Sequence, residues 1–180
     1  MKVLAITGKP GSGKTTAINA IRDLGVVITM GDVVRNEVRN RNLEPSDKNI
    51  GKIAKILRQE KGLAVIAEKC VEIIKNKSVD VVFVDGVRST SEVNIFRKLW
   101  KFPIIGIVID EKVRFNRLLE RARSDDPKII EELIERDKRE SEFGLDEVLR
   151  NADYIIHNNS TTDDLKRNVR VLVLDIIKNY

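Results

Sequence analysis

Short apolar runs, dominated by Val and Ile, stand at positions 3–7, 26–29, 79–84, 104–109 and 154–156, bounded by Gly, Asp, Pro or Asn. Runs of this length without polar alternation predict strands buried on both faces of a sheet. Between them, apolar residues recur at helical spacing over about 14–24, 32–40, 47–59, 63–76, 91–100, 111–122 and 129–141. A last helix is predicted after Thr161, because Leu165, Val169, Leu172 and Ile176 share one face and Thr161 with Asp164 has the spacing of a capping box. Strands alternating with helices predict an α/β fold with a five-stranded, mostly parallel, doubly wound sheet. With 180 residues, no repeat and no Gly/Ser linker, the chain reads as one domain.

Composition narrows the chemistry. Charged residues make up 34% of the chain, above the roughly 25% of an average domain, so the surface is dense in charge. No apolar run approaches the roughly 18 residues of a membrane span, and the stretch at 3–6 is too short for a signal-peptide core; a cytoplasmic protein without a membrane partner is expected. A single Cys70 excludes an intramolecular disulfide and a multi-cysteine zinc site, and a lone His157 excludes paired-histidine catalysis. Cys70, on an apolar helix face, reads as core, and His157, at a strand end, as structural. Thirty-three Lys plus Arg against 28 Asp plus Glu give a net charge of +5, which suits polyphosphates or nucleic acid. Aromatics at 4% provide few platforms for stacking bases, which disfavours nucleic acid as the main partner.

Residues 8–15 read GKPGSGKT, matching G-x-x-x-x-G-K-[ST] at every fixed position between a predicted strand and a predicted helix. Gly8, Gly11 and Gly13 permit the turns that aim backbone N–H groups at phosphate oxygens, with Lys9, Pro10, Ser12 and Thr16 completing the cradle. Lys14 brings a full charge to the outer phosphates and Thr15 a hydroxyl to magnesium. Asp85, ending the apolar run VDVVFVD, is placed to hold that magnesium through water. ATP and Mg2+ are therefore the expected ligands.

Three further segments, MGDVVR at 30–35, DGVRSTSE at 85–92 and RLLERARSDD at 117–126, resemble in sequence and order the motifs of nucleoside-monophosphate kinases, adenylate kinase in particular. From end to end the chain most resembles an archaeal family of adenylate-kinase-related proteins whose family name carries no substrate. The resemblance implies a P-loop NTPase fold with acceptor-binding helices at about 32–76 and a lid at about 121–136. It implies that Gly31, Asp32, Arg35 and Arg88 form the acceptor site, Arg35 and Arg88 holding the acceptor phosphate. Arg117 would lie near the donor base, and Arg121, Arg123 and a further Arg136 near the transferring phosphoryl group. The implied activity is Mg-dependent transfer of the ATP γ-phosphoryl group to a nucleoside monophosphate, AMP first.

Physical chemistry gives the arginines a reason of their own. Transfer between two phosphates needs no general base, because the acceptor oxygen is already ionised; it needs positive charge and exclusion of water. Arginine forks hold phosphate oxygens at two points and stay charged. The sequence departs from the adenylate kinase pattern at Met30, commonly Thr, at the absent Pro between Val87 and Arg88, and at Glu92, where the adenine-reading Gln falls. Glu92 either accepts from the amine of adenine or the N–H groups of guanine, or closes a capping box with Ser89. Residues 151–160, NADYIIHNNS, resemble the final strand and loop of dephospho-coenzyme A kinase. Asn158 then either touches the donor adenine through its backbone or belongs to a plain loop before the last helix. That resemblance opens a second reading, a hydroxyl kinase in which Asp32 is the base unless it is a helix N-cap. A third is a nucleotide sensor or RNA-associated module with little turnover.

Overall fold

The computed structural model describes residues 1–121 and 128–180. The chain runs β1 (Lys2–Thr7), α1 (Lys14–Asn19), β2 (Val26–Thr29), α2 (Met30–Asn40), α3 (Asp47–Lys61), α4 (Val65–Lys75) and β3 (Val81–Asp85). It continues through α5 (Thr90–Arg97), β4 (Ile104–Val108), α6 (Glu111–Arg121), α7 (Ile130–Phe143), α8 (Leu145–Arg150), β5 (Tyr154–His157) and α9 (Thr162–Asn179). The five strands form one sheet in the order β2-β3-β1-β4-β5, and every neighbouring pair is parallel.

The period of two along β1 divides the interior. Val3 and Ala5 pack with α2, α3, α4, α5 and α8 on one face, around Val38, Leu57, Ile74 and Phe96. Leu4 and Ile6 pack with α1 and α9 on the other, around Ile18, Phe83, Val169 and Val173. Helices covering both faces explain the continuous apolar runs of β1, β3 and β4, whereas the edge strand β5, expected to be buried as well, leaves Tyr154 and Ile155 exposed.

Three helices also depart from expectation. Helix α1 stops at Asn19, and the rest of the predicted span continues as turns before β2. Helix α2 begins at Met30 with Thr29 in the N-cap position, so Asp32 lies in its first turn and is not the cap. Helix α8 was not expected: Gly144, at φ 109, ends α7 and starts a six-residue helix too short to establish a period. Among the described residues no helix is long and apolar enough to cross a membrane.

Candidate functional site

From β1 the chain crosses to β2 on one side of the sheet, and from β3 to β4 on the other, yet β1 and β3 are neighbours. The crevice beyond their carboxyl ends is therefore a topological switch point, where open α/β sheets bind ligands. The register sets Asp85 opposite both Ile6 of β1 and Thr29 of β2. Beyond it, Gly86 N donates to Ile6 O at 3.1 Å, and Thr7 Oγ1 donates to Val87 O at 2.7 Å. These bonds hold the segment leading to Arg88 against the root of the phosphate loop. A cavity of about 380 Å³ opens there, lined by that loop, Gly31, Arg35, Asp85, Arg88 and Glu140 among others.

One wall is the phosphate loop. Gly13 has φ 105, and a Cβ there would lie 2.3 Å from Asn158 Nδ2; at Gly11, φ 78, it would lie 2.8 Å from Leu118 Cγ. Both positions require glycine for conformation and for space. Lys14 Nζ donates to Gly8 O at 2.6 Å and Lys9 O at 3.0 Å. Burial lowers its pKa to about 8 against the pull of Asp85 and Glu140. Burial likewise pushes the Asp85 carboxyl above its usual range, with Lys14 and Arg88 opposing. Its Oδ1 is buried and has no hydrogen-bond partner among the described residues, and the exposed Thr15 lines the same cavity. An orphaned carboxylate oxygen and a hydroxyl facing one polar cleft fit a hard cation such as Mg2+.

The other wall is assembled from charges distant in sequence. Arg88 Nη2 lies 3.2 Å from Glu140 Oε1, and Arg136 Nε lies 3.6 Å from the same oxygen and 3.3 Å from Asp47 Oδ1. Arg139 Nη2 donates to Asp47 Oδ2 at 2.7 Å, tying α7 to the start of α3. Burial alone would raise the Glu140 carboxyl, but Arg88, Arg136, Lys14 and Arg139 together hold it below the usual carboxylate range. Arg35 donates to Asp32 Oδ1 at 2.8 Å. Arg117 and Glu120 of α6 also line the cavity.

Several expected roles change. Glu92 does not read a base: it is fully buried, one oxygen accepts from Arg58 Nη2 at 2.7 Å and the other from Arg88 N at 2.8 Å. Ser89 does cap α5, its Oγ accepting from Glu92 N at 3.1 Å. The Asn158 backbone N–H is donated to Val108 O at 2.8 Å, and its Nδ2 donates to Ser12 O at 2.8 Å; it braces the phosphate loop and its N–H is not available to a base. Lys9 takes part through its carbonyl, while its ammonium lies 3.6 Å from Glu111 and 3.9 Å from Asp146. Residues 122–127 of the expected lid, Arg123 among them, lie outside the described residues, Arg121 is placed only as the end of α6, and 130–136 of the expected lid form the start of α7. Cys70 is buried among α4 core residues, its thiol pushed up to about 12 by burial, and His157 is exposed.

Two residues were missed. Glu140 lies in the charged run KRESEF, which contains no motif to single it out. Arg114, 3% exposed, donates to Pro10 O at 3.2 Å and pairs with Asp137 through both terminal nitrogens, joining the phosphate loop to α7. One arginine among 33 basic residues carries no such signal in sequence.

Fold and site together define a P-loop kinase-like domain. A family model described as AAA domain matches residues 7–135. The chain is 40% identical to the UPF0200 protein of Methanosarcina mazei, over all of this chain and 96% of that one. It is 44% identical to the UPF0200/UPF0201 protein of Archaeoglobus fulgidus, over 99% of this chain, which spans 57% of that relative's length. The chain belongs to the UPF0200 family. Among solved structures, TT1252 from Thermus thermophilus matches with TM-score 0.61 and 17% identity, covering 97% of each chain. Shikimate kinase from Acinetobacter baumannii, in complex with shikimate, matches with TM-score 0.61 and 14% identity over 97% of this chain and 94% of that one. At these identities the two structures share the fold.

Proposed function

We propose that the protein is an ATP- and Mg-dependent phosphotransferase that moves the γ-phosphoryl group to a small-molecule acceptor, a nucleoside monophosphate with AMP first. The observation that carries the reading is the pairing of two walls on one cleft: the phosphate loop with Lys14 and Asp85 on one side, Arg88 and Arg136 on the other. The kinase-like fold supports an enzyme, and the resemblance of residues 30–35 and 85–92 to monophosphate kinases supports the acceptor.

In the reaction the bond from the γ-phosphorus to its bridging oxygen breaks and one forms to an ionised acceptor oxygen, so no proton has to be removed. Thr15 and Asp85 would hold Mg2+, which when bound draws negative charge from the donor phosphates. Lys14 leaves the Gly8 and Lys9 carbonyls for phosphate oxygens, whose charge favours its protonated form. Arg88 binds the acceptor phosphate, with Arg35 beside it, and Arg117 meets the donor from α6. Arg121 and Arg123 are assigned to the transferring group by resemblance alone.

A hydroxyl acceptor is the second reading. Asp32 favours it, because its carboxylate stands exposed in the first turn after β2, where a hydroxyl kinase would place its base, and already pairs with Arg35. Transfer from labelled ATP–Mg to AMP, GMP, CMP, UMP, dephospho-coenzyme A and no acceptor separates the readings, with Lys14→Ala as control for contaminants. Transfer to a monophosphate that vanishes in the variant supports the first reading. Transfer to a hydroxyl that collapses in Asp32→Asn supports the second. Nucleotide binding without any transfer overturns the monophosphate reading in favour of a sensor or an enzyme with an acceptor outside this panel.

A further inference from the structure

Glu140 is an anion built into the place where the proposed chemistry needs cations. It is 3% exposed, yet it lines the cleft. Its Oε1 lies 3.2 Å from Arg88 Nη2 and 3.6 Å from Arg136 Nε. Lys14, across the cleft, also feels its charge. Its charged neighbours are thus the groups that a phosphate entering the cleft would use.

The backbone of Arg88 is fixed independently, because its N–H donates to Glu92 Oε2 at 2.8 Å and Glu92 is itself locked by Arg58 at 2.7 Å. What remains adjustable is the Arg88 guanidinium, which is 26% exposed beside a 4% exposed Glu140 side chain. A phosphate oxygen approaching that guanidinium meets a carboxylate of like charge in a site where water screens little.

We propose that Glu140 is an internal competitor that occupies Arg88 in place of the acceptor phosphate and must be displaced before an anion is held there. The proposal rests on the reading of Arg88 as the acceptor-phosphate clamp. Its consequence is a threshold: inorganic phosphate, with no other handle, falls below it and binds poorly, whereas an acceptor that adds contacts along Gly31 and Arg35 supplies what displacement costs. Without Glu140, the paired arginines would be a ready site for any small phosphate.

The test is calorimetric binding of inorganic phosphate, and separately of AMP, with a non-hydrolysable ATP analogue and Mg2+ filling the phosphate loop. Wild type is compared with Glu140→Gln, Arg88→Gln and the double variant. Glu140→Gln is expected to bind both anions at least about tenfold more tightly, a change on the scale of removing one adjacent like charge. That gain should vanish in the double variant. Binding by Glu140→Gln equal to or weaker than wild type, or a gain that survives loss of Arg88, overturns the proposal. If Arg88→Gln weakens AMP while Glu140→Gln changes nothing, the clamp reading stands and the Glu140 proposal falls. If Arg88→Gln changes nothing, the clamp reading itself falls. Glu140→Asp withdraws the carboxylate by one methylene while keeping its charge, and should shift binding less, in the same direction. It carries the test should Glu140→Gln fail to give a native circular-dichroism spectrum.

Discussion

On the phosphate-loop wall, Lys14 rests on carbonyls six and five residues away in the chain; on the arginine wall, Arg88 of the β3–α5 segment meets Glu140 at the far end of α7. The first wall is mostly written in one continuous motif, the second in charges that only folding brings together. In the first, a substitution removes a group that waits for ligand. In the second, it strands a partner charge inside the protein, so stability is lost along with any effect on binding.

The sharpest way to break this contrast is Arg58→Met. Arg58 is 6% exposed, pairs with the fully buried Glu92, and stacks 4.3 Å from the Phe143 ring, linking α3, α5 and α7. Removing it leaves Glu92 charged and buried without its arginine partner, an expected loss of about 3–5 kcal/mol, read by urea unfolding. An unchanged midpoint would mean that the arginine wall does not depend on its pairs.

Lys14→Ala acts on the opposite wall. Phosphoryl transfer should fall at least about a hundredfold, as when a preorganised transition-state donor is removed, while the melting temperature holds or rises because a buried ammonium has gone. Activity within a few-fold of wild type would remove Lys14 from the chemistry.

A pH series separates the two contributions of Lys14 without ligand. Its folded pKa of about 8 lies below the unfolded 10.5, so between these values the unfolded chain binds more protons and stability rises with pH. The destabilisation is full below pH 8 and is relieved by pH 10.5. The stability advantage of Lys14→Met over wild type should therefore shrink by roughly 2–3 kcal/mol between pH 7 and pH 10.5, since one proton is worth about 1.36 kcal/mol for each pH unit separating the two values. A pH-independent difference would show that Lys14 is not buried as described.

The smallest effect is expected at Asn158→Ala. Losing the 2.8 Å bond to Ser12 O leaves a buried loop carbonyl without that donor, worth about 1–2 kcal/mol, and nucleotide affinity should fall with the slackened loop. Unchanged affinity by fluorescence titration would make the brace structural only.

How much was legible follows the same division. The strands at 26–29 and 104–109 were found to within a residue because strands lying between layers of helices are apolar throughout, even at the half-buried edge strand β2. The phosphate loop was legible because its glycines, lysine and threonine are consecutive. Glu92 was drawn toward the ligand by its place in a motif, but a buried arginine from α3 claimed it, and the capping spacing with Ser89 proved the better guide. Asn158 does line the cleft beside the phosphate loop, but its N–H and its amide are engaged by Val108 O and Ser12 O, partners from two other segments. Glu140 and Arg114 were invisible because a charged residue in a charged helix looks solvated until a second element covers it.

By itself the sequence determined the strand–helix alternation, the two-faced sheet and the phosphate loop, because each depends on residues within a few positions of one another. Only the tertiary structure decided which of the many charges meet: Arg88 with Glu140, Arg58 with Glu92, Arg114 with Pro10 and Asp137. Pairing buried charges depends on distances and on exclusion of water, and neither exists along the chain until the helices close over the sheet.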